Sequence, residues 1–164
     1  EMLKRGVDSV FVFDDLGSGH ALLFSPSMYR HFIKPWHTKL ADLCHSYGRL
    51  LHLHSHGHIE DLMDDIVEAG VDILNPIQVN CRDMDTKVFK KKYGNELTIW
   101  GGSCDPRILE FGTPDEVREE TKRRIDDLAP GGGFIFASIH IIQGGVPPEN
   151  IMAWWETLQE FGKY

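Results

Sequence analysis

The chain has 164 residues, a length typical of one domain, and 41% of them are hydrophobic, which excludes disordered and fibrous proteins. Its 17 basic and 25 acidic residues give a net charge of −8 without any basic patch, so we expect neither nucleic acid nor anionic membrane as a partner. The longest apolar runs, such as residues 134–137, are far shorter than the roughly 20 residues of a membrane span, which predicts a soluble protein.

Turn residues divide the chain into five units, each a short β-rich run followed by a loop and a helical segment. The predicted strands are residues 7–13, 50–53, 71–74, 97–100 and 134–137. The first helix begins after the cap Ser25, with Pro26 in its first turn and a kink expected at Pro35. Its apolar positions recur every three or four residues, which predicts one buried stripe: Met28, Phe32, Trp36, Leu40, Leu43 and Tyr47.

The later helices follow the same rules. One is predicted over residues 59–69, and a short one ends near residue 93. Thr113 and Glu116 form a capping box, which predicts a helix from there to about Leu128. The last helix is predicted to begin after Pro147.

Strands that alternate with helices predict an α/β fold with a parallel sheet, either doubly wound or part of a (β/α)8 barrel. No GxGxxG or GxxxxGK[ST] motif follows a strand, so the barrel is favoured. Five units are too few for a barrel of about 250 residues, and the chain begins at Glu1, not Met. We therefore expect residues 1–164 to be a single partial domain, the C-terminal part of a barrel whose N-terminal strands are missing.

The three cysteines, Cys44, Cys81 and Cys104, are an odd number without CxxC spacing, and no signal sequence begins the chain. These features predict a reducing, cytoplasmic environment. Cys104 follows a predicted strand, where its thiolate could bind a soft metal, although a lone buried cysteine is more often inert.

Polar residues follow every predicted strand, where barrel enzymes carry their reacting groups. This placement predicts an enzyme whose strand-end loops share one active-site opening, the mouth of the barrel. Asp15 is the candidate general base and substrate-orienting group, and His140 the second candidate catalytic residue. The candidate substrate-binding residues are Asp14, Asn75, Gln78, Asp105 and Gln143.

Histidines are concentrated after the second strand. Side chains alternate along a strand, so His52, His54 and His56 share one face while Leu51 and Leu53 share the other. His54 and His56 could bind one cation, and His140 could complete a three-ligand site with an open position. Whether His52 or Cys104 joins that site stays open. The alternative is a polar barrel lining satisfied by carboxylates and water.

Seven motifs in order along nearly the whole chain resemble the C-terminal half of the uroporphyrinogen decarboxylase superfamily. They are Asp14-Asp15-Leu16-Gly17-Ser18, Ser25-Pro26-Ser27-Met28-Tyr29-Arg30, His54-Ser55-His56-Gly57, Glu68-Ala69-Gly70-Val71-Asp72, Trp100-Gly101-Gly102, Phe111-Gly112-Thr113-Pro114-Asp115-Glu116-Val117 and Val146-Pro147-Pro148-Glu149-Asn150-Ile151. The resemblance implies a barrel enzyme with one of two chemistries. One branch decarboxylates a porphyrinogen without metal or cofactor. The other contains corrinoid-dependent methyltransferases, in which zinc activates a thiol that accepts a methyl group.

The methyltransferase branch has a His-x-Cys-Gly motif and a third, cysteine ligand after the last strand. Here His56 replaces the first cysteine, and His140 lies near the position of the second. The decarboxylase branch has Gly-His-Gly at that last position, where this chain has Ile139-His140-Ile141. Imidazole in place of thiolate leaves more positive charge on a metal, which makes a bound thiol a poorer nucleophile and a bound water a better acid.

The resemblance implies the first two of three hypotheses, and the incomplete barrel leads to the third. In the first, zinc bound by His54, His56 and His140 supports methyl transfer involving a corrinoid protein or a small molecule, with Asp15 orienting the substrate. In the second, the protein is a metal-free porphyrinogen decarboxylase relative in which His140 hydrogen-bonds a substrate carboxylate. In the third, the chain is a non-catalytic barrel fragment whose open strand edges pair with a second copy to form a homodimer.

Overall fold

The computed structural model describes residues 1–163. The five strands are β1 (Ser9–Phe13), β2 (Leu50–His54), β3 (Ile73–Asn75), β4 (Thr98–Trp100) and β5 (Phe134–Ile135). The helices are α1 (Pro26–Met28), a π-helix (Tyr29–Ile33), α2 (Lys34–Ser46), α3 (Met63–Glu68), α4 (Thr86–Tyr93), α5 (Pro106–Phe111), α6 (Pro114–Leu128) and α7 (Pro148–Phe161). Two short 3-10 helices cover Leu3–Arg5 and Glu60–Leu62.

The strands form one parallel sheet in the order β1-β2-β3-β4-β5. This order identifies the architecture, because a doubly wound sheet reverses its strand order part way through, whereas barrel strands follow one another in sequence. The chain is therefore an α/β unit forming part of a (β/α)8-type barrel, as the sequence predicts. The first strand is shorter than predicted, beginning at Ser9, and the fifth ends at Ile135.

The two faces of the sheet differ in burial. Leu51 and Leu53 of β2 are fully buried in the core between sheet and helices. His52 and His54 lie on the opposite, concave face, as the alternation predicts. Phe11 and Phe13 of β1 are exposed on that concave face, beside the two histidines. The concave face is thus the side on which the polar residues of the strands collect.

The prediction of a buried apolar stripe on the first helix is wrong. Phe32 and Trp36 are more than 60% exposed, and Met28, Leu43 and Tyr47 are also exposed, while Leu40 alone packs partly against the core. The face that packs on the sheet carries Tyr29, His37, Ala41 and Cys44 instead. Pro35 lacks an N–H group, and the turn before it, Tyr29–Ile33, widens into a π-helix, which shifts the residues that face the core.

The capping box is confirmed. The Thr113 hydroxyl accepts the Glu116 N–H, and the Glu116 carboxylate accepts the Thr113 N–H, so α6 begins where the sequence predicts. All three cysteines are buried free thiols. Among residues 1–163, no helix combines the length and apolar character needed to cross a membrane.

Candidate active site

The loops that follow β1 and β2 are joined to each other before either reaches its helix. The Leu16 N–H donates to Ser55 Oγ at 3.1 Å, and the His58 N–H donates to the Ser18 carbonyl at 2.7 Å. Gly57 has a φ of +93°, and a Cβ on it would lie 2.5 Å from the Gly17 carbonyl carbon. Only glycine allows this backbone approach. The junction sets the position of the loop after β2, named the histidine loop for His56 and His58, relative to the loop after β1, named the aspartate loop for Asp14 and Asp15.

Three histidines converge at the carboxyl end of the sheet. The ring centroids of His56 and His140 lie 5.2 Å apart, those of His54 and His140 5.9 Å, and those of His54 and His56 6.5 Å. His54 is the last residue of β2, His56 lies in the loop after it, and His140 lies in the loop after β5. Parallel strands bring their carboxyl ends to one edge, which explains how residues 84 positions apart in sequence meet.

The tautomer of His54 follows from its hydrogen-bond partners. Asn75 Nδ2 donates to the Trp100 carbonyl at 2.9 Å, which leaves Asn75 Oδ1 facing His54 Nδ1 at 2.7 Å. An amide oxygen only accepts hydrogen bonds, so Nδ1 of His54 carries the proton. With the proton on Nδ1, the uncharged form of His54 has its lone pair on Nε2, which faces the mouth and can accept a proton or bind a metal.

Asp15 faces the same group. Its Oδ1 atom lies 3.6 Å from His54 Nε2 and accepts the backbone N–H of His56 at 2.9 Å. The carboxylate thus connects the aspartate loop with both histidines and is more than half exposed. It can accept a hydrogen bond from a substrate, the role that the sequence predicts for it.

The electrostatic environment favours an uncharged His56. Burial lowers the pKa of the His56 imidazole, the neighbouring His140 lowers it further, and Asp15 partly opposes both. A lowered pKa leaves the nitrogen lone pair of His56 available near neutral pH. A proton therefore competes less with any metal or hydrogen-bond donor at this ring.

Two cavities meet at His140. The first, which we name the side cavity, has a volume of about 340 Å³ and is lined by His56, His140 and Gln143 together with Leu109, Ile139 and Val146. The second, the open cavity, has a volume of about 640 Å³ and lies over the concave face of the sheet, against Phe11, Phe13, Asp15, His54, Asn75 and His140. The histidine cluster stands between them.

The three imidazoles are suitable ligands for zinc, but their rings are not arranged around a common point in this structure. Among residues 1–163, no three His, Cys, Asp or Glu side chains are arranged to hold a metal ion as they stand. Three imidazoles around one tetrahedral zinc, with Zn–N distances of about 2.0 Å, place their ring centroids roughly 5 Å apart. The widest observed separation, 6.5 Å between His54 and His56, exceeds that spacing. Side-chain rotations that move the two rings about 1 Å closer together would bring this separation to the spacing around zinc. The hydrogen bond between His54 and Asn75 is of the kind that orients metal-binding histidines.

Three of the predicted substrate-binding residues have partners inside the protein. Asp14 Oδ2 lies 3.0 Å from Nε2 of the buried His37 on α2, on the helix side of the sheet. Gln78 is buried, and its Oε1 accepts the Gly57 N–H. Asp105 is buried and caps α5 by accepting the Arg107 N–H at 2.8 Å. Their substrate-binding roles stay predictions, but each side chain is already engaged in holding a loop or helix.

The other candidates divide between the mouth and the interior. Asn75 contacts His54 and lines the open cavity, and Gln143 lines the side cavity while its amide donates to the Ile141 carbonyl. Cys104 borders the side cavity, but burial raises the pKa of its thiol to about 12, so a thiolate is not available. His52 lies deeper in the concave face, between the rings of Phe11 and Trp100, away from the mouth.

Sequence reasoning missed a buried polar chain behind the mouth. The Tyr29 hydroxyl lies 2.9 Å from His37 Nδ1, and His37 Nε2 lies 3.0 Å from Asp14. Since a carboxylate only accepts hydrogen bonds, His37 donates to Asp14 through Nε2, and in the uncharged ring this leaves Nδ1 to accept the Tyr29 hydroxyl. These hydrogen bonds connect the end of β1 to α2. The sequence signal that could have revealed this arrangement is that Tyr29 and His37 fall outside the predicted apolar stripe of the helix.

Comparison with known proteins places this geometry in a family. The sequence profile described as Uroporphyrinogen decarboxylase (URO-D) matches residues 1–161. Similar curated proteins include "Uroporphyrinogen decarboxylase" of Geotalea daltonii, 28% identical over 90% of this chain and 40% of that protein. Another is "Uroporphyrinogen decarboxylase" of Pseudoalteromonas translucida, 28% identical over 97% of this chain and 43% of that protein.

A solved structure described as a methyltransferase from Methanosarcina mazei superposes with a TM-score of 0.74 at 24% identity, over 99% of this chain and 44% of that one. At this identity the likeness shows a shared fold. The chain spans less than half the length of the proteins it matches. The profile match over almost the whole sequence shows that the chain belongs to the uroporphyrinogen decarboxylase family.

Proposed function

We propose that the chain forms one part of an enzyme that transfers a methyl group between a corrinoid partner and a small molecule, with zinc bound by His54, His56 and His140. One observation carries the proposal, namely that the three imidazoles stand where two separate cavities meet. A transfer between two molecules needs a donor and an acceptor on either side of one reacting point. The two cavities provide those two places.

The residues around the cluster have distinct parts in this proposal. Asn75 holds the ring of His54 so that Nε2 points to the mouth, and Asp15 accepts a hydrogen bond from the substrate and orients it. His56 stays neutral near pH 7 because burial lowers its pKa, which suits a ligand nitrogen. Zinc held by three neutral imidazoles would supply a strongly polarising Lewis acid.

The experiment is elemental analysis of the purified protein after dialysis. We expect about one zinc per chain in the wild type, a loss of zinc in His54→Ala and in His140→Ala, and retention in the control His31→Ala. His31 is exposed on the π-helix outside the cluster, so its removal tests for nonspecific binding by histidine. Circular dichroism of each variant verifies that it is folded.

Metal-free porphyrinogen decarboxylation is the second candidate. It is favoured by the curated relatives named uroporphyrinogen decarboxylase and by the wide spacing of the imidazoles. In this mechanism the exposed His140 would hydrogen-bond a substrate carboxylate. A folded wild-type protein without metal would support this candidate over methyl transfer. A metal-free protein with a dimeric mass in light scattering would support the non-catalytic fragment that pairs with a second copy.

A further inference from the structure

The side cavity is small and mostly apolar. Leu109 and Ile139 are buried where they line it, and Val146 and Ile142 complete an apolar wall. Its volume of about 340 Å³ is near the lower end for small-molecule sites, which run from about 300 to 1,000 Å³. A molecule with one ring fits into such a space, whereas the four linked rings of a tetrapyrrole do not.

Three of the polar side chains that line the cavity are engaged elsewhere. Gln78 accepts the Gly57 N–H, the Ser138 hydroxyl donates to the His140 carbonyl, and the Gln143 amide donates to the Ile141 carbonyl. The Asn80 side chain also lines the cavity, and the imidazoles of His56 and His140 lie at the end that faces the cluster. A ligand would therefore place its apolar body against the wall and its polar end at these two rings.

The charges along the cavity disfavour an anion. Glu110 contributes a carboxylate, and no lysine or arginine is among the lining residues within the described part of the chain. In the protein without bound zinc, an anionic ligand would move from water to a position near a carboxylate with no compensating cation, which costs binding free energy.

We propose that the side cavity binds a small uncharged molecule with a single ring or similar apolar body, its polar end directed at His56 and His140. This inference names the substrate class for the proposed function. It rests on that function only in assigning this molecule the role of methyl donor or acceptor. The tetrapyrrole-bearing partner is then left with the open cavity.

The test compares benzyl alcohol with benzoate, which share a ring and differ in charge. Each is titrated at about pH 7.5 into the wild-type protein while the histidine ring resonances are followed by NMR, assigned with His56→Gln and His140→Gln. We expect benzyl alcohol to shift the resonances of both rings in the millimolar range of a small fragment. We expect benzoate to bind about tenfold more weakly or not at all.

Two variants with matched controls examine the location and the charge. Ile142→Trp fills the cavity from a half-buried loop position and should abolish benzyl alcohol binding, whereas Val88→Trp on the exposed face of α4 should not. Glu110→Gln should strengthen benzoate binding several-fold and leave benzyl alcohol unchanged. Its control Glu96→Gln removes an equal charge ahead of β4, at the opposite end of the sheet, and should change neither.

The outcomes separate this inference from the proposed function. Benzyl alcohol binding that is lost in Ile142→Trp, together with weak benzoate binding to the protein dialysed against a chelator, supports the inference independently of the zinc proposal. Benzoate binding as tight as that of benzyl alcohol overturns it, as does the absence of any ring shift with a folded protein. If Ile142→Trp does not fold, the change in benzoate affinity in Glu110→Gln decides, and no change overturns the inference.

Discussion

His52 gives the sharpest test of the fold through the pH dependence of stability. Its ring lies 4.0 Å from the centroid of Phe11 and 4.7 Å from that of Trp100, and the residue is 3% exposed. Within the described residues, its Nε2 atom has no hydrogen-bond partner. Burial lowers the pKa of His52 from 6.5 to about 4, with a smaller contribution from His54.

The sign of the effect follows from this lowered pKa. The unfolded chain takes up a proton at His52 below pH 6.5, whereas the folded chain does so only near pH 4. The stability from the neutral ring is therefore complete above pH 6.5 and is lost as the pH falls towards 4. The difference in pKa, at about 1.4 kcal/mol per pH unit, is worth about 3 kcal/mol in total, of which about 2 kcal/mol is lost by pH 5.

The experiment compares wild type with His52→Phe, which retains a flat ring between Phe11 and Trp100 but cannot be protonated. Urea unfolding of both proteins at about pH 7.5 and pH 5 gives two differences in the free energy of unfolding. Because the other titrating groups are common to both proteins, their contributions cancel in the comparison. We expect the variant to gain about 2 kcal/mol on the wild type when the pH is lowered from 7.5 to 5.

The control is His31→Phe, which makes the same change at an exposed position. It should show a much smaller dependence of the difference on pH than His52→Phe does. If His52→Phe and wild type lose the same stability between the two pH values, His52 is not buried as a neutral ring. Burial of the His52 ring between Phe11 and Trp100 would then be refuted, together with the lowered pKa that follows from it.

Three further predictions test other contacts. Tyr29→Phe removes the hydroxyl 2.9 Å from His37 Nδ1 and should lower the free energy of unfolding by about 1–3 kcal/mol in urea, whereas an unchanged midpoint would contradict the bond. Gly57→Ala places a Cβ 2.5 Å from the facing backbone and should lower the Tm far more than Gly131→Ala, which also has a positive φ but open space around it. Cys104, whose pKa burial raises to about 12, should resist iodoacetamide at about pH 8 in the folded protein and react in urea, and equal rates would show that it is accessible.

The units of the fold could be predicted because their signals are local. The leucines of β2 alternate with the histidines, and this pattern alone determines which face is buried. The capping box at Thr113 likewise depends on residues three positions apart. In contrast, the regular spacing of Phe32 and Trp36 indicates an apolar face but carries no information on what covers it. The structure therefore contains the predicted helix, but the apolar stripe on it is mostly exposed and not buried.

The sequence predicted which residues belong to the candidate site better than it predicted the contacts that those residues make. The spacing of His54 and His56 on one strand face indicated a shared site, and the barrel architecture predicted that His140 would come near them. The bond from Asp14 to His37 spans 23 residues between a strand end and a helix. No sequence pattern specifies such a pair, since it depends on how the π-helix turns α2 against the sheet.

The close approach of Gly17 and Gly57 has a consequence for engineering this barrel. Neither loop can be exchanged alone, because each backbone occupies the space that a side chain on the other would need. A transplant of the histidine loop into another barrel would have to include the aspartate loop as its counterpart. The two loops therefore form one transferable cassette, and recombination breakpoints placed between the aspartate loop and the histidine loop should be tolerated less well than those placed after the histidine loop.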